Sequence, residues 1–168
     1  MALFNQEFNS LEELFLQQIE DLYDAEHRII RALPKMSETA QDPELKRALD
    51  KHLSETRNQV DRLDTIFRGL NKAPERETCE AMKGLIREGE DMVNAKGSPD
   101  VRDAAIIAAA QRVEHYEIAG YGTARALAQH LGHPEAARLL EATLQEEKNA
   151  DQILTQVAES SVNVHALH

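Results

Sequence analysis

The chain has 168 residues, enough for one ordinary domain, and a single domain over 1–168 is expected, with its core at about 10–158. Acidic residues number 30 against 19 basic ones, a formal net charge of -11, which argues against nucleic acid or anionic membrane as a non-specific partner because both need a basic face. Hydrophobic residues make up 42%, aromatics only 4%, and Ala (23) is abundant beside sparse Gly (7) and Pro (5), a composition that suits helix and excludes disorder. The single cysteine, Cys79, excludes an internal disulfide and a cysteine-rich zinc site.

The amino terminus, Met1 to Phe8, lacks the basic and apolar regions of a secretion signal. No apolar run approaches the roughly 20 residues that cross a bilayer; the longest, Ala104 to Ala110, suits a helix interior. The expected setting is cytoplasmic.

Four long helices are expected. The first opens at Ser10 with Glu13 three residues on, the capping-box spacing, and carries Leu11, Leu14, Phe15, Ile19, Leu22, Ile29, Ile30, Leu33 and Met36 at helical period. Pro34 is expected to kink it or end its regular part. The second opens at Asp42-Pro43-Glu44 and runs through Leu45, Leu49, Leu53, Val60, Leu63 and Phe67 to a stop at Gly69. Between Leu70 and Gly97 the connection is too long for a bare loop, and Thr78 to Ala95 has the spacing of a shorter helix in Met82, Leu85, Ile86 and Val93. The third long helix opens at Ser98-Pro99-Asp100 and runs to about Leu131, with Gly132 as its cap. The fourth starts near His133-Pro134-Glu135, and the tail, residues 159–168, lacks a period and is expected to fray. No strand signal occurs. Two antiparallel hairpins joined by a long crossover make an all-α four-helix bundle.

The hairpins resemble one another. Ala25-Glu26-His27 aligns with Val113-Glu114-His115, and Leu53 to Asn58 aligns with Leu144 to Asn149. Glu26 lies on one face with Ile19, Leu22, Ile29 and Leu33, and Glu114 shares a face with Ile107, Ile118 and Tyr121. Glu147 sits beside Leu140, Leu144 and Leu154 with Asp151 one turn on; His52 lies among Leu45, Leu49 and Leu63 with Glu55 three residues beyond; Glu117 follows Glu114 by one turn. A lone buried carboxylate costs several kcal/mol, so four helices each turning one inward point to a shared cation. Oxygen-rich ligands with an imidazole suit iron or manganese, and paired divalent ions need about this many carboxylates. The plain alternative is that glutamates beside an apolar stripe extend to water and that His52 is a core histidine. His27 and His115 follow their glutamates by one residue and face away; His130, His133, His165 and His168 are expected at a helix end or in the tail. Tyr23, Tyr116 and Tyr121 are read as packing residues within hydrogen-bonding reach of the interior, and Gly120 and Gly122 as points of close helix approach. No phosphate loop, dinucleotide fingerprint, nucleophile elbow or HExxH zinc motif occurs. Cys79 lies far in sequence from any His, which argues against a nucleophilic thiol.

The segment Ala108 to Thr123, which contains Arg112-Val113-Glu114-His115-Tyr116-Glu117, resembles the hallmark of the bacterial YciF-type family. So do His52-Leu53-Ser54-Glu55-Thr56, Glu146-Glu147-Lys148 with Asp151, and Cys79-Glu80-Ala81-Met82-Lys83-Gly84-Leu85-Ile86. The resemblance spans about residues 9–160. It implies a ferritin-like fold related to rubrerythrin, association with stress responses, and a homodimer. It also implies two metal ions held by one Glu from each of two helices and a Glu-x-x-His pair from each of the others. Carried over, Glu26 and Glu114 match the single glutamates, and Glu55 and Glu146 those of the pairs; Asn58 and Asn149 then stand where His is expected. His52, Glu117, Glu147 and Asp151 are the substitute donors. The expected function is a stress-associated protein with two iron (alternatively manganese) ions acting on dioxygen or peroxide. Metal sequestration without turnover and a metal-free helical interaction protein are the other readings.

Overall fold

The computed structural model describes residues 7–167, and among them every regular element is helical. Helix α1 (Leu11–Thr39) starts at Ser10, whose side chain accepts from the Glu13 amide, while Glu13 accepts the Asn9 amide in return. The expected box is therefore present, closed one residue upstream of the cap. Helix α2 (Pro43–Gly69) starts at Asp42, whose carboxylate accepts from the Glu44 and Leu45 amides ahead of Pro43. The crossover helix α3 (Glu80–Val93) falls inside the expected window, followed by α4 (Pro99–His130) and α5 (Pro134–Val157). The last two are the third and fourth long helices of the sequence reading.

Three details differ from expectation. Of the kink or end expected at Pro34, the end does not occur: α1 continues to Thr39 with Pro34 exposed and Leu33 and Met36 buried. The left-handed residue after α2 is Asn71 (φ 55), not Gly69; Gly132 (φ 76) takes the expected role after α4. The tail does not fray over the described residues. A π-helical turn (Ala158–Val162) leads into α6 (Asn163–His165); Val162 is buried and the Ser161 hydroxyl donates to Asp42 at 2.6 Å. The tail thus closes over the start of α2. His168 lies outside the described residues.

The long helices form a ring in the order α1, α2, α5, α4, each packed on two neighbours, while α3 lies against α1 and α4. Two apolar clusters fill the interior. One gathers Phe15, Ile19, Leu22, Leu63, Phe67, Tyr121 and Leu140; the other gathers Ile29, Leu33, Leu45, Leu49, Ile106, Val113 and Leu154. Between them, at mid-height on all four helices, lies a layer of buried polar side chains. The two clusters flank that layer at both ends.

No described helix is long and apolar enough to cross a membrane.

Candidate metal centre

The polar layer contains Glu26 from α1, His52 from α2, Glu114 and Glu117 from α4 and Glu147 from α5, all buried. One donor atom from each of His52, Glu114, Glu117 and Glu147 lies within 4.8 Å of the others, close enough to share one cation. His52 Nε2 stands 3.4 Å from Glu114 Oε1 and 3.8 Å from Glu147 Oε2. Glu26 joins from the α1 side, near enough to Glu117 that each alters the other's ionisation. Glu114 and Glu147 are a second pair coupled in this way.

Surrounding residues hold these side chains by one edge and leave the other bare. The Tyr121 hydroxyl donates to Glu26 Oε1, and the Gln59 amide donates to Glu147 Oε1 and, at 3.0 Å, to Glu146 Oε2. Glu146 in turn is clasped by Arg62 through two bonds of 2.6 Å, and Arg62 also reaches Thr143. Left without a donor are Glu26 Oε2, Glu114 Oε2, Glu147 Oε2, both oxygens of Glu117 and both ring nitrogens of His52. Buried polar atoms are nearly always satisfied, so this concentration demands a missing partner. Protons or metal cations can fill it.

Without metal, protons do. Burial first, then repulsion by Glu147, raises Glu26 well above the ordinary carboxyl value; burial and Glu147 likewise raise Glu114, and burial with Glu26 raises Glu117. Glu147 is pushed up to about 7, mainly by burial, with Glu114 and Gln59 working against the rise. His52 is pushed down to about 4 by burial and the charge of Lys51, so its ring is neutral and free to coordinate at neutral pH.

Glu26, His52, Glu114, Glu117 and Glu147 are thus brought together in the buried layer. Glu55, Glu146 and Asp151 do not join them. Glu55 is half-buried and paired with Lys51 at 2.5 Å, Glu146 belongs to Arg62, and Asp151 accepts from Gln111 at 3.0 Å with His115 at 3.4 Å. Asn58 and Asn149 are exposed, so neither occupies the position of an inward histidine. The inward positions are one residue later: Thr56 and Glu147 stand where Glu55 and Glu146 were aligned, with Gln59 and Ala150 three residues on.

Gln59 is the contributor that sequence reading missed. The spacing 45, 49, 52, 56, 59, 63 runs straight along the inner face of α2 and carried the signal. Tyr121, read as a packing residue, also binds Glu26. Cys79 is buried, capping α3 with its sulfur, and its thiol is pushed up to about 11 by burial. A buried thiol held protonated in this way is a poor nucleophile.

The family described as domain of unknown function DUF892 matches residues 10–167. Protein YciF of Escherichia coli (strain K12) is 43% identical over 158 residues, 94% of this chain and 95% of the relative. The crystal structure of the E. coli stress protein YciF matches with a TM-score of 0.89 over 93% of this chain and 99% of that one, at 43% identity. YcfI of Rhodopseudomonas palustris matches at 0.88 and 44% identity over 93% and 99%. A Xanthomonas campestris pv. campestris protein shares the fold alone, at 0.72 and 24% identity over 92% and 94%. With the family match and the YciF relative both spanning nearly its whole length, the chain belongs to the DUF892 family of YciF-type proteins.

Proposed function

We propose that this protein is a ferritin-like, stress-associated metalloprotein whose buried layer holds two first-row divalent ions, iron or alternatively manganese, on Glu26, His52, Glu114, Glu117 and Glu147. One observation carries the reading: four carboxylates are buried together, and the nearest clasped cation, Arg62, is occupied by Glu146. Four negative charges balance two divalent cations, whereas one ion leaves two charges buried without a partner. The donor set fits. It is oxygen-rich with a single neutral imidazole, the chemistry that suits iron and manganese and not a thiolate metal.

His52, Glu114, Glu117 and Glu147 would hold one ion, and Glu26 with the shared carboxylate Glu117 would hold the other. Bound iron supplies electron transfer to dioxygen or peroxide. The chain's own contribution is positional: Tyr121 and Gln59 each fix one carboxylate edge, and the apolar clusters flank the layer at both ends. Homodimer formation is part of the proposal, and light scattering in solution checks it.

A narrower reading, metal storage without turnover, draws on Gln59 and Ala150, which supply no imidazole where the ferritin-like pattern places one. The test is elemental analysis of protein expressed with supplementary iron and manganese. The expected result is about two ions per chain by the charge balance above, lost in Glu26→Ala and Glu114→Ala. Metal near zero, with stability indifferent to chelator, would sink the metal reading. Bound metal without any dioxygen- or peroxide-dependent change in its absorption would leave the storage reading standing alone.

A further inference from the structure

A narrow crevice between α2 and α5 reaches from the surface to the buried layer. His52 and Glu114 line its inner part, and Lys51 and Glu55 line it beside the exposed face of α2. Ala48, Ala150 and Ile153 wall it. Its volume, about 10 Å³, is near the space a single water occupies. Both ring nitrogens of His52 lack a hydrogen-bond partner although the ring is almost wholly buried, and His52 is itself part of the crevice lining. Glu55 lies three residues after His52, one turn along the same face of α2, and still lines the crevice although it stays out of the cluster.

We propose that this crevice is the inlet through which the metal ion reaches the buried centre, with Glu55 receiving the hydrated cation at the mouth and the small side chain of Ala150 keeping the passage open. The inference rests on the metal reading above and deepens it. A divalent cation must shed most of its water to enter a crevice with room for about one water molecule, and it does so only if ligands replace that water stepwise. Glu55 at the mouth, then His52 and Glu114, offer that succession from one turn of α2 to the centre of the layer. The Lys51–Glu55 pair at 2.5 Å is partly exposed, and such pairs are weak, so an arriving dication displaces the ammonium at little cost. Ala150 stands three residues after Glu147, and a larger side chain there would occupy the crevice. The position the ferritin-like pattern gives to a ligand is thus left as space.

The test follows Co²⁺ capture by the metal-free full-length chain in a stopped-flow spectrometer, through the absorption of the bound ion, with final metal per chain measured after gel filtration. Ala150→Leu is expected to slow capture by about tenfold or more while leaving final metal per chain unchanged. Glu55→Gln is expected to slow capture less and to flatten its dependence on salt. Should Ala150→Leu fail to fold, Ala48→Leu at the half-exposed wall and Glu55→Gln on the surface carry the same comparison. Variants that capture Co²⁺ as fast as the wild type overturn the inlet and leave the metal centre intact. Variants that lower final metal per chain with an unaltered rate overturn it as well, because they assign these residues to holding the ion and not to its passage. A wild-type chain that takes up no Co²⁺ overturns the centre and the inlet together.

Discussion

A carboxylate at full burial is tolerated when a proton or a cation answers its charge, and Glu117, with both oxygens bare, tests that rule most directly. In the metal-free chain, Glu117→Gln removes the cost of holding a buried carboxyl protonated, keeps the volume and adds an amide that can donate to Glu26. It should raise metal-free stability by about 1–3 kcal/mol. The same substitution should abolish any rise in melting temperature on adding Fe²⁺ without oxygen, or Mn²⁺. Thermal unfolding with and without metal reads both signs in one experiment; a loss of stability in the absence of metal would contradict the account. At this scale the sequence was partly legible. Glu26, Glu114 and Glu147 stand out because each shares a face with leucine and isoleucine at three- and four-residue spacing. Gln59 and Thr56 were hidden because Leu53, which is only half-buried, drew the stripe of α2 aside.

Element by element, the two glycines of α4 separate. A Cβ on Gly120 would lie 2.8 Å from Leu22 Cδ2, so α1 and α4 approach closely there; Gly122 faces open space. Gly122→Ala should therefore stabilise by about 0.5–1 kcal/mol through helix propensity. Gly120→Ala should lose that gain to the clash and destabilise by about 1 kcal/mol or more, both read by denaturant titration. The sequence marked both glycines alike, because the difference lies in which side of α4 meets Leu22.

The start of the crossover helix is tied down by a residue that no pattern disclosed. Buried Asp24 accepts from Arg28 at 2.5 Å, Arg76 at 2.7 Å and the Cys79 amide at 2.9 Å. Burial opposes its charge, yet Arg28, the Cys79 amide and Arg76 together hold it below the ordinary value. Asp24→Ala should cost about 2–3 kcal/mol and speed hydrogen exchange over the first turn of α3 ahead of α5. Equal protection in both helices would show that α3 is held by its apolar face alone.

For the whole molecule, a metal-binding layer of this kind should make stability depend on pH in opposite senses with and without metal. The unfolded carboxyls titrate near about 4.3, whereas Glu26, Glu114 and Glu117 are raised well above this and Glu147 to about 7. What these groups add to metal-free stability is complete below the unfolded value and is lost as pH rises through the native ones. His52 works the other way: the unfolded ring takes a proton below about 6.5, the native ring only at about 4, so stability falls as pH drops across that window. Four carboxyls against one imidazole decide the sign. The metal-free chain should melt higher at about pH 5 than at about pH 8, since the buried carboxyls keep their protons at the lower value. Bound metal requires those carboxyls ionised, so with metal the order should reverse and uptake should release protons, measurable with a pH indicator. An unchanged order would mean that the layer does not take the ion.

Caps, proline starts and the 3.6-residue period are local properties, readable without knowing what lies opposite, and so the five main helices follow from the sequence alone, although α1 runs on past Pro34 and Asn71 takes the left-handed position after α2. Net charge and the absence of phosphate or thiol motifs are equally local. Which of 30 acidic residues is buried is not local. Successive residues on a helix differ by about 100° in facing, so the rotation of α2 and α5 against their neighbours turns Thr56 and Glu147 inward and leaves Glu55 and Glu146 at the edge. The tail's docking on Asp42, the crossover's anchorage on Asp24 and the crevice beside Ala150 arise in the same way, from elements far apart in the chain that only packing brings together.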